Sequence, residues 1–174
     1  MVGLQTEESL EDRMKTHWRT AWQGQEIVVY REEQAVDRVQ AQDIARVVFV
    51  HQGTGDSPGD LLFAIVETAD EVLLFPDYTG FAGRVNFERQ AFWAERGCVF
   101  WVSERHATLP ARLRRGHWLL RSAGPAYARV PRAELAGLLD GWPLDGPQTW
   151  EQRKWRRIEN SRPFSNSAPG QLHA

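Results

Sequence analysis

The hydrophobic positions in the first half of the chain fall into short runs of strand length. These runs are rich in Val, Ile, Leu and Phe and are separated by Gly, Asp, Glu and Pro, a pattern typical of strands joined by turns. We therefore expect strands at residues 26–30, 35–39, 44–50, 61–66 and 72–75. Because the connections between them are short, the order indicates an antiparallel meander.

Helical spacing first appears after Gly83. Asn86 is a candidate N-cap and Gly97 stands where a C′ residue belongs, so the apolar stripe between them predicts a helix at residues 86–96. A buried strand is expected next, at residues 98–102. A late hairpin follows, with strands at residues 117–121 and 126–130.

Two more helices are expected toward the C-terminus. Three leucines, at positions 135, 138 and 139, form one face of a helix that Pro131 begins and Gly141 ends. Pro147 opens the last helix, which carries Trp150 and Trp155.

The predicted strands come first along the chain and the helices come later, which is the order typical of an α+β fold. We predict an antiparallel, curved sheet or partial barrel with one packed helix in the middle and helices toward the C-terminus. We divide the chain into residues 1–16 (an N-terminal arm or short helix), 17–146 (a single α+β domain), 147–162 (a basic helix containing tryptophan) and 163–174 (a disordered tail). The 174 residues, 42% of them hydrophobic, suit one domain with a sizeable core.

Composition excludes several classes of protein. Cys98 is the only cysteine, so the chain forms no internal disulfide and no multi-cysteine zinc site. No apolar run approaches the roughly 20 residues that a membrane helix needs, and the N-terminus is acidic and polar, unlike a signal peptide. We expect a soluble, cytoplasmic protein without membrane insertion.

The net charge of −2 conceals a strong asymmetry along the chain. Residues 1–104 contain 18 acidic and 9 basic residues, whereas residues 105–174 contain 5 acidic and 12 basic residues. This split indicates either two surfaces of opposite sign or a basic segment that binds an acidic partner. The alternative is that the two halves pair with each other within the fold.

No motif predicts a catalytic, metal or cofactor site. The Gly-rich loop at residues 53–59 lacks the Lys and the following helix of a phosphate-binding loop, so we expect a hairpin connection there. The five histidines show no metal-ligand spacing. Cys98 directly precedes an apolar run, which favours a small buried hydrophobe over a nucleophile. We therefore assign no catalytic residue, no metal and no cofactor.

The last helix mixes tryptophan with basic residues. Such mixtures form hot spots at protein interfaces, and they also stack on bases and neutralise phosphates. The alternative is a helix that docks its tryptophans on the sheet while its basic residues face water. All three interpretations stay open at this point, and the candidate interface residues are Trp150, Arg153, Trp155, Arg156 and Arg157.

One pattern in the first half is similar to that of a known fold family. One strand begins at Gln42-Asp43-Ile44-Ala45-Arg46-Val47, the next at Asp60-Leu61-Leu62-Phe63, and a hairpin leads into residues 86–96. In this succession the stretch from about residue 22 to residue 96 resembles the small bacterial domains with a pleckstrin-homology-like fold. The resemblance implies a curved antiparallel sheet closed by a helix, used for binding and without family catalytic residues. The long C-terminal part departs from that pattern.

The leading hypothesis for the function is a non-catalytic protein-interaction module. An adaptor or a toxin-neutralising (immunity-type) protein fits the acidic first half, because opposite charges speed the encounter with a basic partner. The first alternative is a nucleic-acid-binding protein that uses the basic C-terminal segment. The second is an enzyme whose site assembles from distant residues such as Cys98 or His51. The oligomeric state is left open.

Overall fold

The computed structural model describes residues 18–76, 96–114, 125 and 127–161. Those residues form eight strands and two α-helices. The strands are β1 (Trp18–Gln23), β2 (Glu26–Arg31), β3 (Gln34–Gln40), β4 (Arg46–His51), β5 (Leu61–Glu67), β6 (Glu71–Pro76), β7 (Val99–Ser103) and β8 (Ala128–Pro131). The helices are α1 (Arg132–Asp140) and α2 (Trp150–Asn160).

The strands form two sheets, which confirms the predicted α+β class. The first sheet has the order β1-β2-β3 and is antiparallel throughout. The second has the order β7-β4-β5-β6-β8, and its strands do not close into a barrel. Strands β4 and β7 run parallel, whereas the other pairs of this sheet are antiparallel. The predicted single meander is therefore divided after β3, and β7 returns to pair with β4.

Both faces of the five-stranded sheet are buried, and this explains its continuous apolar runs. Val47 and Phe49 of β4 face one hydrophobic cluster, which the three-stranded sheet covers with Ile27 and Val29. The intervening residues of β4 face a second cluster, which α1 covers with Leu135 and Leu139. Burial of each such side chain stabilises the fold by about 1.5–3 kcal/mol.

Strand β1 is absent from the predicted elements. Its contacts with the core are made by Trp18 and Trp22, which are partly buried and pack against the first cluster. Each residue of β1 has a partner in β2, from Trp18 opposite Arg31 to Gln23 opposite Glu26. Tryptophan interrupted by polar residues is a weak strand signal in a sequence because its pattern depends on which face is covered.

The turn between β2 and β3, which the predicted strands at residues 26–30 and 35–39 imply, takes an unusual form. Glu32 and Glu33 have φ angles of 48° and 64°, the left-handed conformation that the tight turns of hairpins require. Glycine or asparagine usually occupies such positions, so two glutamates imply local strain. Glu33 forms an ion pair with Arg19, at 3.1 Å from Nη2 to Oε2, across the sheet from the turn.

Both predicted C-terminal helices are observed. Pro131 is the N-cap of α1 instead of its first residue, so the helix begins at Arg132, one residue later than predicted, and Gly141 is the C-cap. Helix α2 begins after Thr149, whose hydroxyl accepts from the N–H of Gln152 while the Gln152 side chain accepts from the N–H of Thr149. This reciprocal capping box satisfies two N–H groups that would otherwise lack partners within the helix.

Four predicted segments lie largely or wholly outside the described residues. These are the arm at residues 1–16, the middle helix at 86–96, the first strand of the late hairpin at 117–121 and the tail at 163–174. Arg96, at the end of the predicted middle helix, is described. Its guanidinium donates to the carbonyl oxygens of Ala41 at 3.0 Å and Gln42 at 3.2 Å.

The chain between the two helices covers the outer edge of β7 and so determines where α2 begins. Trp101 and Asp145 exchange two backbone hydrogen bonds of 2.8 Å, and the N–H of Gln148 donates to the Val99 carbonyl at 2.9 Å. Gly146 has a φ of +136°, and a Cβ atom there would lie 2.7 Å from the Val99 carbonyl oxygen. Only glycine allows this close approach.

Candidate interaction surface on the last helix

Helix α2 has an inner and an outer face, and the inner face is charged. The partly buried positions are Trp150, Arg153, Lys154, Arg157 and Ile158, spaced as one face of a helix. No residue of the helix is fully buried. The helix is therefore attached to the fold mainly through arginine side chains and one tryptophan.

Arg153 is the central anchor of the inner face. Its side chain is only 11% exposed, and its Nη1 donates to the carbonyl oxygen of Thr54 at 2.7 Å. Its Nε lies 3.5 Å from Oδ2 of Asp145, and its guanidinium carbon lies 5.5 Å from the ring centroid of Trp101. Burial lowers the pKa of Arg153, whereas the carboxylate of Asp145 raises it. The guanidinium thus lies between an indole ring and the loop after β4.

Arg157 extends the same attachment one turn further along the helix. Both of its Nη atoms bind the carboxylate of Asp56, and Nη1 also donates to the Thr54 carbonyl at 3.3 Å. Asp56 is itself held in place, because its N–H donates to the Asp60 carboxylate at 3.0 Å. A two-pronged guanidinium–carboxylate pair constrains orientation as well as distance. The loop at residues 53–59 is a hairpin connection, as predicted, and it also receives the helix.

His51 connects this loop to Arg153. His51 is only 5% exposed, and Nη2 of Arg153 lies 3.0 Å from its Nε2. Because a guanidinium only donates, Nε2 is the acceptor, and the proton of the neutral ring sits on Nδ1, 3.3 Å from the Gln52 carbonyl oxygen. Burial, and then the charge of Arg153, lower the pKa of His51. The contact therefore requires a neutral histidine.

Gly55 closes the loop over the His51 ring. Its φ is +69°, and a Cβ atom at this position would lie 2.6 Å from Cγ of His51. Both the backbone conformation and the space require glycine here. The ring is thus enclosed between the loop backbone and Arg153.

The outer face of α2 presents Trp155. Trp155 is 60% exposed. Among the residues that the structure describes, Val36 is the only other large hydrophobic residue that is exposed. Arg156, which is 53% exposed, binds Asp145 through Nη2. Glu151 and Glu159 lie on the same exposed face as Trp155, one helical turn before and after it.

The structure separates the five predicted interface residues. Trp155 and Arg156 point outward, whereas Trp150, Arg153 and Arg157 belong to the inner face. If the helix docked its tryptophans on the sheet, both tryptophans would be inside and the basic residues would face water. Of the two tryptophans, only Trp150 is inside, and Arg153 and Arg157 also face inward. The role of the five residues at an interface stays a prediction.

Sequence reasoning missed two groups of residues at this surface. His51, Thr54, Asp56 and Asp145 hold the inner face. The first three lie about 100 positions before the arginines that they contact, so nothing in their spacing relates them to the helix, whereas Asp145 lies in the connection just before it. Glu151 and Glu159 flank Trp155 on the outer face. Their spacing of four residues on either side of Trp155 is a signal that could have identified them.

The charge asymmetry of the chain is expressed partly as pairing within the fold. Among the described residues, four ion pairs join the acidic first part to the basic last part: Asp37–Arg129, Glu71–Arg129, Asp56–Arg153 and Asp56–Arg157. Arg129 binds both oxygens of Asp37, at 2.8 Å and 3.1 Å. Tyr127 donates to the same carboxylate. Burial, and then this hydrogen bond, raise the pKa of Tyr127.

The candidate catalytic side chains are placed unfavourably for catalysis. Cys98 is buried, and burial raises the pKa of its thiol, the opposite of what an activated nucleophile requires. The imidazole of His51 contacts Arg153 through one nitrogen and a carbonyl through the other. In the described ranges, no three His, Cys, Asp or Glu side chains are grouped so as to hold a metal ion.

A cleft of 760 Å³ opens at the edge of the two sheets. Its charged lining residues are Arg38, Asp43, Asp70, Glu71 and Arg129. Arg129 is engaged by Asp37 and Glu71, and Arg38 pairs with Glu26 at 2.9 Å. Three of these five charged side chains are therefore already paired: Arg38 pairs with a residue of β2, and Arg129 of β8 pairs with residues of β3 and β6.

Comparison of the chain with protein families, with curated proteins and with solved structures finds no match. The resemblance to pleckstrin-homology-like domains stays a prediction. Across the part of the chain that the structure describes, no helix is long and apolar enough to span a membrane.

Proposed function

We propose that this protein is a non-catalytic protein-interaction module, of the adaptor or toxin-neutralising kind, which acts in the cytoplasm and binds its partner through the outer face of α2. The observation that carries the proposal is the exposure of Trp155, at 60%, on a helix whose opposite face is anchored. Tryptophan is enriched among the residues that dominate binding energy at protein interfaces.

The anchoring of α2 supports the same proposal. The capping box orders the first turn, and Arg153 and Arg157 attach the helix to the loop after β4. A side chain on a helix that is already in place loses little conformational entropy when a partner binds. Trp155 is therefore presented on a surface suited to binding.

Nucleic-acid binding ranks second because the positive charge of α2 is largely neutralised within the fold. Arg153, Arg156 and Arg157 each lie beside a carboxylate of Asp56 or Asp145. Phosphate binding by these residues would require those pairs to be broken. An enzyme ranks third, since Cys98 and His51 are both buried.

Affinity capture tests the proposed function. The tagged protein, Trp155→Ala and Val36→Ala are used to capture partners from native lysate, with and without nuclease treatment. Val36 is the matched control, because its side chain is also exposed, at 50%, but lies on β3. We expect a stoichiometric protein that survives nuclease, is retained by Val36→Ala and is lost with Trp155→Ala. Equal capture by Trp155→Ala contradicts the proposed surface, and release by nuclease favours nucleic acid.

A further inference from the structure

The three residues Glu151, Trp155 and Glu159 form one stripe on the outer side of α2, which we call the Trp155 face. They are spaced four residues apart, and all three side chains are exposed. On a helix this spacing places neighbours about 5–6 Å apart at their Cβ atoms. An indole is thus flanked on both sides by a carboxylate.

The net charge of the Trp155 face is negative. Glu151 and Glu159 form no ion pair with any residue in the described part of the chain. The neighbouring cation Arg156 is paired with Asp145, and the ammonium of Lys154 lies 5.0 Å from the ring centroid of Trp150. As far as the described residues go, the two carboxylates are therefore left for charges on another molecule.

A second copy of this chain is a poor occupant of the Trp155 face. In an antiparallel two-fold pairing centred on Trp155, Glu151 of one copy would meet Glu159 of the other. The same pairing would bring Lys154 opposite Arg156. In a parallel pairing each glutamate would meet its own copy. Both arrangements place like charges together, which disfavours self-association.

We infer that the partner is a different protein whose docking surface is basic, with an apolar pocket for Trp155 edged by Lys or Arg side chains that face Glu151 and Glu159. This inference rests on the proposed function. Complementary charge at the edge of an interface accelerates encounter and discriminates between partners, while the buried aromatic residue supplies most of the affinity.

Two defined peptides test the inference. The first is a fluorescently labelled amphipathic helix built of Leu and Lys, and the second replaces each Lys by Glu. Binding of each peptide to the full chain is measured by fluorescence anisotropy at low and at physiological salt. We expect the Leu/Lys peptide to bind, with an affinity that falls as salt rises. We expect no binding of the Leu/Glu peptide.

Three variants identify the surface. Glu151→Gln/Glu159→Gln is expected to weaken binding at low salt by roughly three- to tenfold, as for two exposed ion pairs. Glu104→Gln/Asp140→Asn is the matched control. It removes the same charge from exposed residues elsewhere in the fold and is expected to bind like the wild type. Trp155→Ala is expected to abolish binding at both salt concentrations.

The possible outcomes separate the inference from the proposed function. If Trp155→Ala abolishes binding but the two glutamates have no effect, the basic partner is wrong and the docking surface stands. If Trp155→Ala binds like the wild type, the proposed surface itself is contradicted. Failure of the Leu/Lys peptide to bind overturns the inference. So does a dimer in sedimentation that Trp155→Ala dissociates, because the occupant would then be a second copy.

Discussion

Arg153 donates a hydrogen bond from Nη2 to Nε2 of His51 across 3.0 Å, and the two residues are 102 positions apart in the chain. The contact joins the end of β4 to the middle of α2, and it exists only while the imidazole is neutral. The attachment of the last helix therefore depends on the protonation state of His51, whose pKa is lowered by burial and by the charge of Arg153.

The His51–Arg153 contact predicts a dependence of stability on pH. Burial and Arg153 lower the pKa of His51 in the folded protein below its value in the unfolded chain, about 6.5. The unfolded chain then binds more protons than the folded protein as pH falls below about 6.5, so stability decreases with decreasing pH. Above that pH the contribution is fully present.

Denaturant unfolding between pH 7.5 and pH 5 measures this effect. The wild type is expected to lose stability across the window, and His51→Gln is expected to show a smaller dependence. The control is His106→Gln, which alters an exposed histidine and is expected to leave the wild-type profile unchanged. An identical slope for wild type and His51→Gln would contradict the role of His51.

The two arginines that approach Asp145 are expected to differ strongly in their contribution to stability. Arg153→Ala removes a nearly buried guanidinium that also serves Thr54 and His51, and it is expected to lower the free energy of unfolding by about 2–4 kcal/mol. Arg156→Ala removes an exposed pair and is expected to cost about 0–1 kcal/mol. Urea unfolding of both variants measures the two losses in free energy of unfolding. Equal losses would refute the central role of Arg153.

The two glycines of the loop after β4 provide a test of the contact with the His51 ring. Gly53→Ala introduces strain at a φ of +54° but meets no atom within 4 Å, so a loss of about 1 kcal/mol is expected. Gly55→Ala adds a clash with His51 to similar strain and is expected to lose about 2–4 kcal/mol. Thermal unfolding of the two variants measures the difference in their stability. A Gly55→Ala variant as stable as Gly53→Ala would show that the ring moves aside freely.

Cys98 is expected to be inert in the folded protein. Because its thiol is buried and its pKa is raised, a thiol-specific reagent is expected to modify it at a rate limited by opening of the fold. Labelling in native buffer and in denaturant measures the two rates. Rapid labelling of the native chain, comparable to that in denaturant, would restore Cys98 as a candidate nucleophile.

Most strands and both C-terminal helices could be predicted from the sequence because their signals are local. The run from Val47 to Val50 has the composition of a strand buried on both faces, and Leu135 and Leu139 repeat at helical spacing. Strand β1 could not be identified, because its pattern becomes visible only when the face that covers Trp18 and Trp22 is known. The parallel pairing of β7 with β4 is likewise a long-range choice that no local pattern specifies.

The sequence by itself determined that α2 exists and that it mixes arginine with tryptophan, and it predicted a start at Pro147, three residues before the observed first residue, Trp150. Only the tertiary structure decided which face of the helix is attached and which is presented. Arg153 and Arg157 face inward because Thr54 and Asp56, about 100 positions earlier, accept their hydrogen bonds. That leaves Trp155 in solvent. A helix carries its periodicity locally, whereas the partner of each face depends on how distant segments fold together.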